Sequence, residues 1–301
     1  MTTSGAAAAC RHPGPELCRA AHAGQGSQLA GAFDQRRGRL SQGLGSQQAA
    51  RAHVESGRQT AQRRGFLERD VRRMVNQDRN IFASLLLKMG EADAMISGLS
   101  RKYSDTIRPA LQIIGKDENV RKIAGMYIML TKRGPLFLAD ATVKFNPGAD
   151  DLADITQLVA KEVRAFGITP RVAMLSYSNF GSSDSSEAKL VARAREIVKE
   201  REPNLVCDGE IQPLVAFNRE ILKENYPFSE LVNGEPNVLI FPNLASGNIA
   251  YNLLQEVGDA DAIGPILLGL KKPVHILQLG SSVRSIFNMV LIAVVDAQTK
   301  S

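Results

Sequence analysis

From Phe66 onward the chain alternates stretches of helical apolar spacing with short apolar runs. Residues 68–89 put Val71, Met74, Val75, Ile81, Leu85 and Leu86 near helical spacing, which predicts one long helix. Strand-like runs follow at 92–97, 125–131, 136–143, 172–176, 205–208, 238–241 and 274–277. Further helices are predicted at 106–114, 149–165, 187–201, 213–224, 247–257 and 283–298. Short β-rich runs alternating with helices of about 10–15 residues indicate βαβ units and a mainly parallel sheet. Ligands of such sheets bind beyond the carboxyl ends of the strands, so the loops there are the place to look for chemistry.

Three loops carry small polar side chains ahead of a helix. The run 172–175 leads into Ser176-Tyr-Ser-Asn-Phe-Gly-Ser-Ser-Asp-Ser-Ser186, where Asp184 and Glu187 have the spacing of a capping box with Asp184 as cap. Such a loop is an ordinary capped strand–loop–helix and also a natural anion seat, because free N–H groups and the helix dipole face it. Val238-Leu-Ile-Phe-Pro-Asn-Leu-Ala-Ser-Gly-Asn248 repeats the theme. In the third loop Ser97 and Gly98 end a strand, and Arg108 sits one turn into the next helix. Arginine is a planar clamp for phosphate, and equally a partner for surface ion pairs. His275, in an apolar run, reads as packed, and Cys207 has no nearby histidine to activate it. The spacing of Asp208 and Glu210 does not imply a paired acid/base site. No GxGxxG or P-loop pattern occurs.

Composition changes the picture at one end only. Of the 301 residues, 44% are hydrophobic and 23% charged, which excludes wholesale disorder. The longest apolar run, 289–295, has seven residues, against the roughly 20 of a membrane-spanning helix. Three cysteines exclude a disulfide scaffold and suit a reducing cytoplasm. The net charge of +6 invites nucleic acid as a partner until it is located. Residues 1–65 hold nine arginines, no lysine and three acids, and the remaining 236 residues carry 28 basic and 28 acidic side chains. All of the net charge lies in a segment rich in Ala, Gly, Arg and Gln, with seven large apolar residues. Its apolar content is too small to offset backbone ordering at ~1–2 kcal/mol per residue, so disorder is expected. Gly and Gln interrupt any transit-peptide helix, Ala6–Ala9 is too short for a secretory core, and aromatic interleaving for nucleic acid is missing. The reading adopted is a low-complexity leader, disordered or mistranslated, joined to a genuine body near residue 65. Cys10, His12, Cys18 and His22 match no zinc spacing, so no metal is expected.

The body resembles the phosphate acetyl/butyryl transferase family. The likeness rests on Ala92-Asp-Ala-Met-Ile-Ser-Gly98, Thr106-Ile-Arg-Pro-Ala-Leu-Gln112, Leu138-Ala-Asp140, Pro170-Arg-Val-Ala-Met-Leu-Ser-Tyr-Ser178, Asp208-Gly-Glu-Ile-Gln212, Asn237-Val-Leu-Ile-Phe-Pro242, Ser246-Gly-Asn248 and Gly264-Pro-Ile-Leu-Leu-Gly-Leu-Lys-Lys-Pro273. These motifs run in family order over 66–301, with no match in 1–64. The resemblance implies two three-layer α/β subdomains with mainly parallel sheets around a cleft, a homodimer, and acyl transfer between phosphate and coenzyme A. The family's first strand or strands are expected to be missing. The subdomains are expected at 66–145 with 278–301, and at 146–277. Substrate-binding positions carried over are Ser97, Gly98, Thr106, Arg108, Ser176, Ser178, Asp208, Glu210, Ser246, Gly247, Asn248 and Tyr251.

The resemblance also exposes departures. The family's catalytic-type Ser, Arg and Asp are replaced by Gln278, Leu279 and Ser285, and a second expected acid is Leu214. Ile276-Leu-Gln-Leu-Gly280 is similar instead to the C-terminal transferase-like domain of NADP-dependent malic enzymes. In that group the domain serves mainly as an acetyl-CoA-sensing, dimerising module. The expectation is a cytoplasmic, ligand-binding regulatory domain for acetyl-CoA or acetyl phosphate, without covalent cofactor, nucleic acid or membrane. The alternative is a working phosphate acyltransferase using Asp208 or Glu210 as base.

Overall fold

A computed structural model describes residues 54–57, 67–100, 102–140, 146–258, 260–278 and 280–299. In chain order the elements are α1 (Glu68–Gln77), α2 (Arg79–Lys88), β1 (Met95–Gly98), α3 (Tyr103–Ile113), β2 (Ala124–Thr131), β3 (Gly134–Asp140), α4 (Ala149–Ala165) and β4 (Arg171–Leu175). There follow α5 (Ser186–Arg201), β5 (Val206–Ile211), α6 (Pro213–Ala216), α7 (Arg219–Asn225), β6 (Val238–Ile240), α8 (Leu244–Glu256), β7 (Asp261–Leu268), β8 (Val274–Leu277) and α9 (Val283–Thr299).

The chain divides into two compact units. One holds the described residues as far as Asp117 and those from Leu270 on, and the other is Glu118–Gly269. Strand pairing explains why these boundaries differ from the sequence expectation. β3 pairs with β6 and β2 with β7, which draws both β2 and β3 into the second unit. β8 pairs in parallel with β1 and so belongs to the first.

The second unit is a six-stranded sheet in the order β5-β4-β6-β3-β2-β7. The β5–β4, β4–β6 and β6–β3 pairings are parallel, and β3–β2 and β2–β7 antiparallel. Together with β1–β8, parallel pairing prevails, as the alternation of helix and strand requires. Alternate residues of a strand face opposite ways, and here both sets are buried. Tyr127, Met129, Leu138, Leu175 and Leu239 pack with Phe241 and Tyr251 in one core cluster. Their neighbours Met126, Ile128, Phe137, Met174 and Ile240 are buried as well. Helix α4 turns Leu152, Ile155, Val159 and Val163 inward, and α5 does so with Val191, Ala194 and Val198.

Three local differences from the sequence reading have physical causes. The single helix expected over 68–89 is two, because Asp78 has extended backbone and its Oδ1 accepts from the N–H of Asn80 at 2.8 Å and of Ile81 at 3.4 Å. Strand β7 was not among the expected strands, and it contains Gly264-Pro265. It is an edge strand, where proline is tolerated, and the register shifts opposite Tyr127 to absorb the pair. Within the expected leader, residues 54–57 are helical and Val54 is buried, while a Cβ on Gly57 would lie 2.9 Å from Val71 Cγ1. The rest of the leader's expected disorder lies outside the described residues.

Candidate functional site

In the first unit, β1 and β8 end side by side, with Gly98 opposite Leu277. A cavity of about 290 Å³ opens there, and its wall includes Ser97, Gly98 and Thr106 of the expected binding residues. Gly98 has φ +121°, and a Cβ on it would lie 2.2 Å from Leu277 O, so glycine is what lets the two strands close. Ser97 Oγ donates to Asn80 Oδ1 at 2.6 Å, and Thr106 Oγ1 donates to Lys102 O at 3.2 Å. Arg108 is exposed, does not line the cavity and has no ion-pair partner among the described residues. The wall instead includes Arg79, Asn80 and Ser100, which sequence reasoning missed.

The loop that carries the family's catalytic-type positions follows β8. Gln278 O accepts from Ser281 Oγ at 2.8 Å, closing a turn. Ser285 N–H donates to Ser282 Oγ at 3.1 Å, and the two hydroxyls lie 3.0 Å apart. Leu279 is outside the described residues, as are Cys10, His12, Cys18 and His22. Leu214 is 69% exposed. His275 is fully buried as expected, and its Nε2 lies 3.2 Å from Asp296 Oδ2 on α9.

In the second unit a cavity of about 650 Å³ lies beyond the carboxyl ends of β4 and β6. Leu175, Leu190, Phe241 and Pro242 give it apolar wall, and Ser176, Tyr177, Glu187, Asn243 and Ser246 give it polar wall. Helices α5 and α8 start at its edge. The cap of α5 is Ser185, whose Oγ accepts from Ala188 N–H at 3.2 Å. Asp184, the expected cap, is fully exposed and pairs with Lys189 at 3.0 Å. Asn243 caps α8 through Ser246 N–H at 2.9 Å.

Ser178, Asp208 and Glu210 are buried and do not line this cavity. Glu210 Oε1 accepts from Ser178 Oγ at 2.8 Å and from Gly181 N–H at 2.7 Å, while its carbonyl accepts from Phe180 N–H at 2.9 Å. Asn179 Oδ1 accepts from Gln212 N–H at 2.8 Å. The end of β5 therefore staples the loop that presents Ser176 and Tyr177. Asp208 is spent elsewhere. Its Oδ2 accepts from Glu230 N–H at 3.0 Å and its Oδ1 lies 3.4 Å from Arg195 Nε. Burial, then the Asp208 charge, holds the neighbouring Cys207 thiol well above its ordinary value of 9.0, so no thiolate nucleophile forms there.

Gly247 is buried and Asn248 exposed at the start of α8. Tyr251 lies in the core, with its ring stacked on Tyr127 at 4.2 Å, and burial followed by Glu256 raises its pKa. It does not line the cavity. The cap spacing of Asn243 and Ser246 was the available signal for Asn243. Asn80 was hidden once residues 68–89 were read as one helix.

The chain has relatives among known proteins. The chain is 42% identical over 236 residues to the NADP-dependent malic enzyme of Haemophilus influenzae, covering 78% of this chain and 31% of that protein. It is 40% identical over 235 residues to the phosphate acetyltransferase of Bacillus subtilis, covering 78% of this chain and 72% of that protein. The structure of a phosphotransacetylase from Streptococcus pyogenes superposes with a TM-score of 0.75 at 37% identity, covering 81% of this chain and 74% of that one. The chain thus spans about a third of the malic enzyme's length and nearly three quarters of the acetyltransferase's. The sequence model for phosphate acetyl/butaryl transferase matches residues 43–294, so the likeness begins earlier than residue 66, inside the expected leader. With most of its length matched, the chain belongs to the phosphate acetyl/butaryl transferase family.

Proposed function

We propose that this is a transferase-like domain that binds acetyl phosphate or acetyl-CoA and regulates a malic-enzyme-type protein in the cytoplasm, with its own chemistry weakened. Acyl transfer forms a bond from the CoA sulfur to the acyl carbon and breaks the bond from that carbon to phosphate. A base must take the thiol proton, and fixed cations must meet the charge that develops. The observation that carries the reading is the fate of the acids. Asp208 and Glu210, the base candidates of the active-enzyme reading, are both buried and committed to holding structure. Gln278 and Ser285 supply neither base nor cation at the family positions.

The homodimer that accompanies this reading finds support at α8, where Ile249 and Leu253 of the helix and Val257 just after it form an exposed apolar stripe at intervals of four. The active-enzyme reading keeps one observation in its favour, the 72% coverage of the B. subtilis acetyltransferase. A thermal-shift titration with acetyl-CoA and acetyl phosphate, run beside an assay of acetyl-CoA formation, decides. Stabilisation without turnover supports the regulatory domain. Turnover that disappears in Arg108→Ala supports the enzyme, and no stabilisation by either ligand overturns both.

A further inference from the structure

Helix α9 has two apolar sides and buries the less apolar of them. Nine of the ten residues from Ile286 to Val295 are apolar, so burial has no single stripe to follow. Positions 283, 287, 290, 291 and 294 share one side of an α-helix, and positions 285, 289, 292, 293 and 296 share the other. The first side is Val283, Phe287, Val290, Leu291 and Val294, of which all but Val294 are exposed. The second is Ser285, Met289, Ile292, Ala293 and Asp296, and its last four members are buried where α9 packs on β1 and β8. Five large apolar side chains against two, an alanine and two polar groups make the outward side the better one to remove from water.

The inward side carries a polar contact instead. Asp296 is 1% exposed, His275 is fully buried, and Asp296 Oδ2 lies 3.2 Å from His275 Nε2. The imidazole Nδ1 has no hydrogen bond among the described residues, so the acid is the polar group that the ring meets. β8 presents His275 between the buried Val274 and Ile276, opposite Ile96 of β1. A polar side chain in such surroundings is costly without its partner. A buried pair of this kind adds little net stability, yet any packing that separates its members is heavily penalised. Its influence therefore falls on the choice between packings.

We propose that the His275–Asp296 pair selects the side on which α9 packs against β1 and β8, overriding the preference of its apolar side chains. Both are positioning residues. Ser285, four residues ahead of Met289 on the same side, takes its direction from that selection. The inference goes beyond the proposed function and does not depend on which ligand the domain binds.

The chain has no tryptophan, so Phe287→Trp in the full chain is a single reporter on the outward side. With the pair intact it is expected to emit at long wavelength and to be quenched freely by acrylamide. His275→Leu leaves Asp296 without its partner, and α9 is expected to turn the acid to water and the indole inward, with a shift to shorter wavelength and weaker quenching. His275→Leu combined with Asp296→Leu makes both sides apolar. That variant is expected to keep a urea midpoint at or above the parent's while the indole divides between two environments. An indole that stays solvated in both leucine variants overturns the proposal, because apolar packing then selects the side unaided. If neither leucine variant folds, Asp296→Asn, which keeps the shape and removes the charge, is read in their place. Quenching weaker than the parent's supports the selection, and quenching equal to the parent's overturns it.

Discussion

Removing the Glu210 carboxylate separates a staple from a base. In Glu210→Ala, Gly181 N–H loses its 2.7 Å acceptor. Stranding a buried donor of this kind costs about 1–3 kcal/mol. Ser178 Oγ loses its 2.8 Å acceptor but keeps Ser182 Oγ at 3.1 Å, so its loss is about 1 kcal/mol. The truncated side chain also vacates a site only 2% exposed, which adds about 1 kcal/mol for the unfilled space. The sum is about 3–5 kcal/mol. Glu210→Gln keeps a carbonyl oxygen for both donors and fills the same space, so its loss is about 1 kcal/mol or less. Urea unfolding measures both. Amide exchange at Gly181 is expected to accelerate strongly in the alanine variant and slightly in the glutamine variant. A loss below about 0.5 kcal/mol for Glu210→Ala, or equal losses for the two variants, would refute the staple.

Three further outcomes are expected. The raised Cys207 pKa makes the folded state hold its proton while the unfolded thiol, of ordinary value 9.0, ionises. Stability from this group is present below pH ~9 and falls by about 1.4 kcal/mol per pH unit above it. Cys207→Ala flattens that decline in urea midpoints measured from pH 8 to 10.5, and an unchanged slope speaks against it. Gly98→Ala is expected to cost about 3 kcal/mol by thermal or chemical unfolding, since the new Cβ meets Leu277 O at a positive φ. Tyr251→Phe leaves both stability and acetyl phosphate affinity unchanged because the ring packs on Tyr127, whereas weakened affinity would restore it as a ligand contact.

Periodicity located most elements because burial follows it directly: α4 was expected at 149–165 and forms over Ala149–Ala165. What stayed hidden depends on partners remote in sequence. Gly264-Pro265 looks unfit for a strand until β2 lies beside it with a register shift at Tyr127. The loop motifs led to Ser97, Gly98, Thr106, Ser176 and Ser246, all in cavity walls. Arg108 and Tyr251, carried over from the resemblance, lie outside both cavity walls, and a motif alone does not say which face of a helix meets a cavity. Asn80 was illegible for the opposite reason. Its place follows from the break that Asp78 makes, and an aspartate inside a helical pattern reads as an ordinary surface residue.

The parallel pairing of β1 with β8 also sets an order of synthesis. Met95 lies opposite Val274, so β1 waits for its partner strand until the whole second unit and β8 have been made. The second unit is one uninterrupted segment, Glu118–Gly269, and has all its strands sooner. Closing so long a loop by free diffusion carries a large entropic cost, whereas closing it over an already folded insert brings the ends together in advance. A nascent chain that has emerged as far as residue 270 therefore has a complete second unit and a β1 that has no mate. Until β8 follows, that strand's open edge is the nascent protein's point of exposure to chaperones and to other chains.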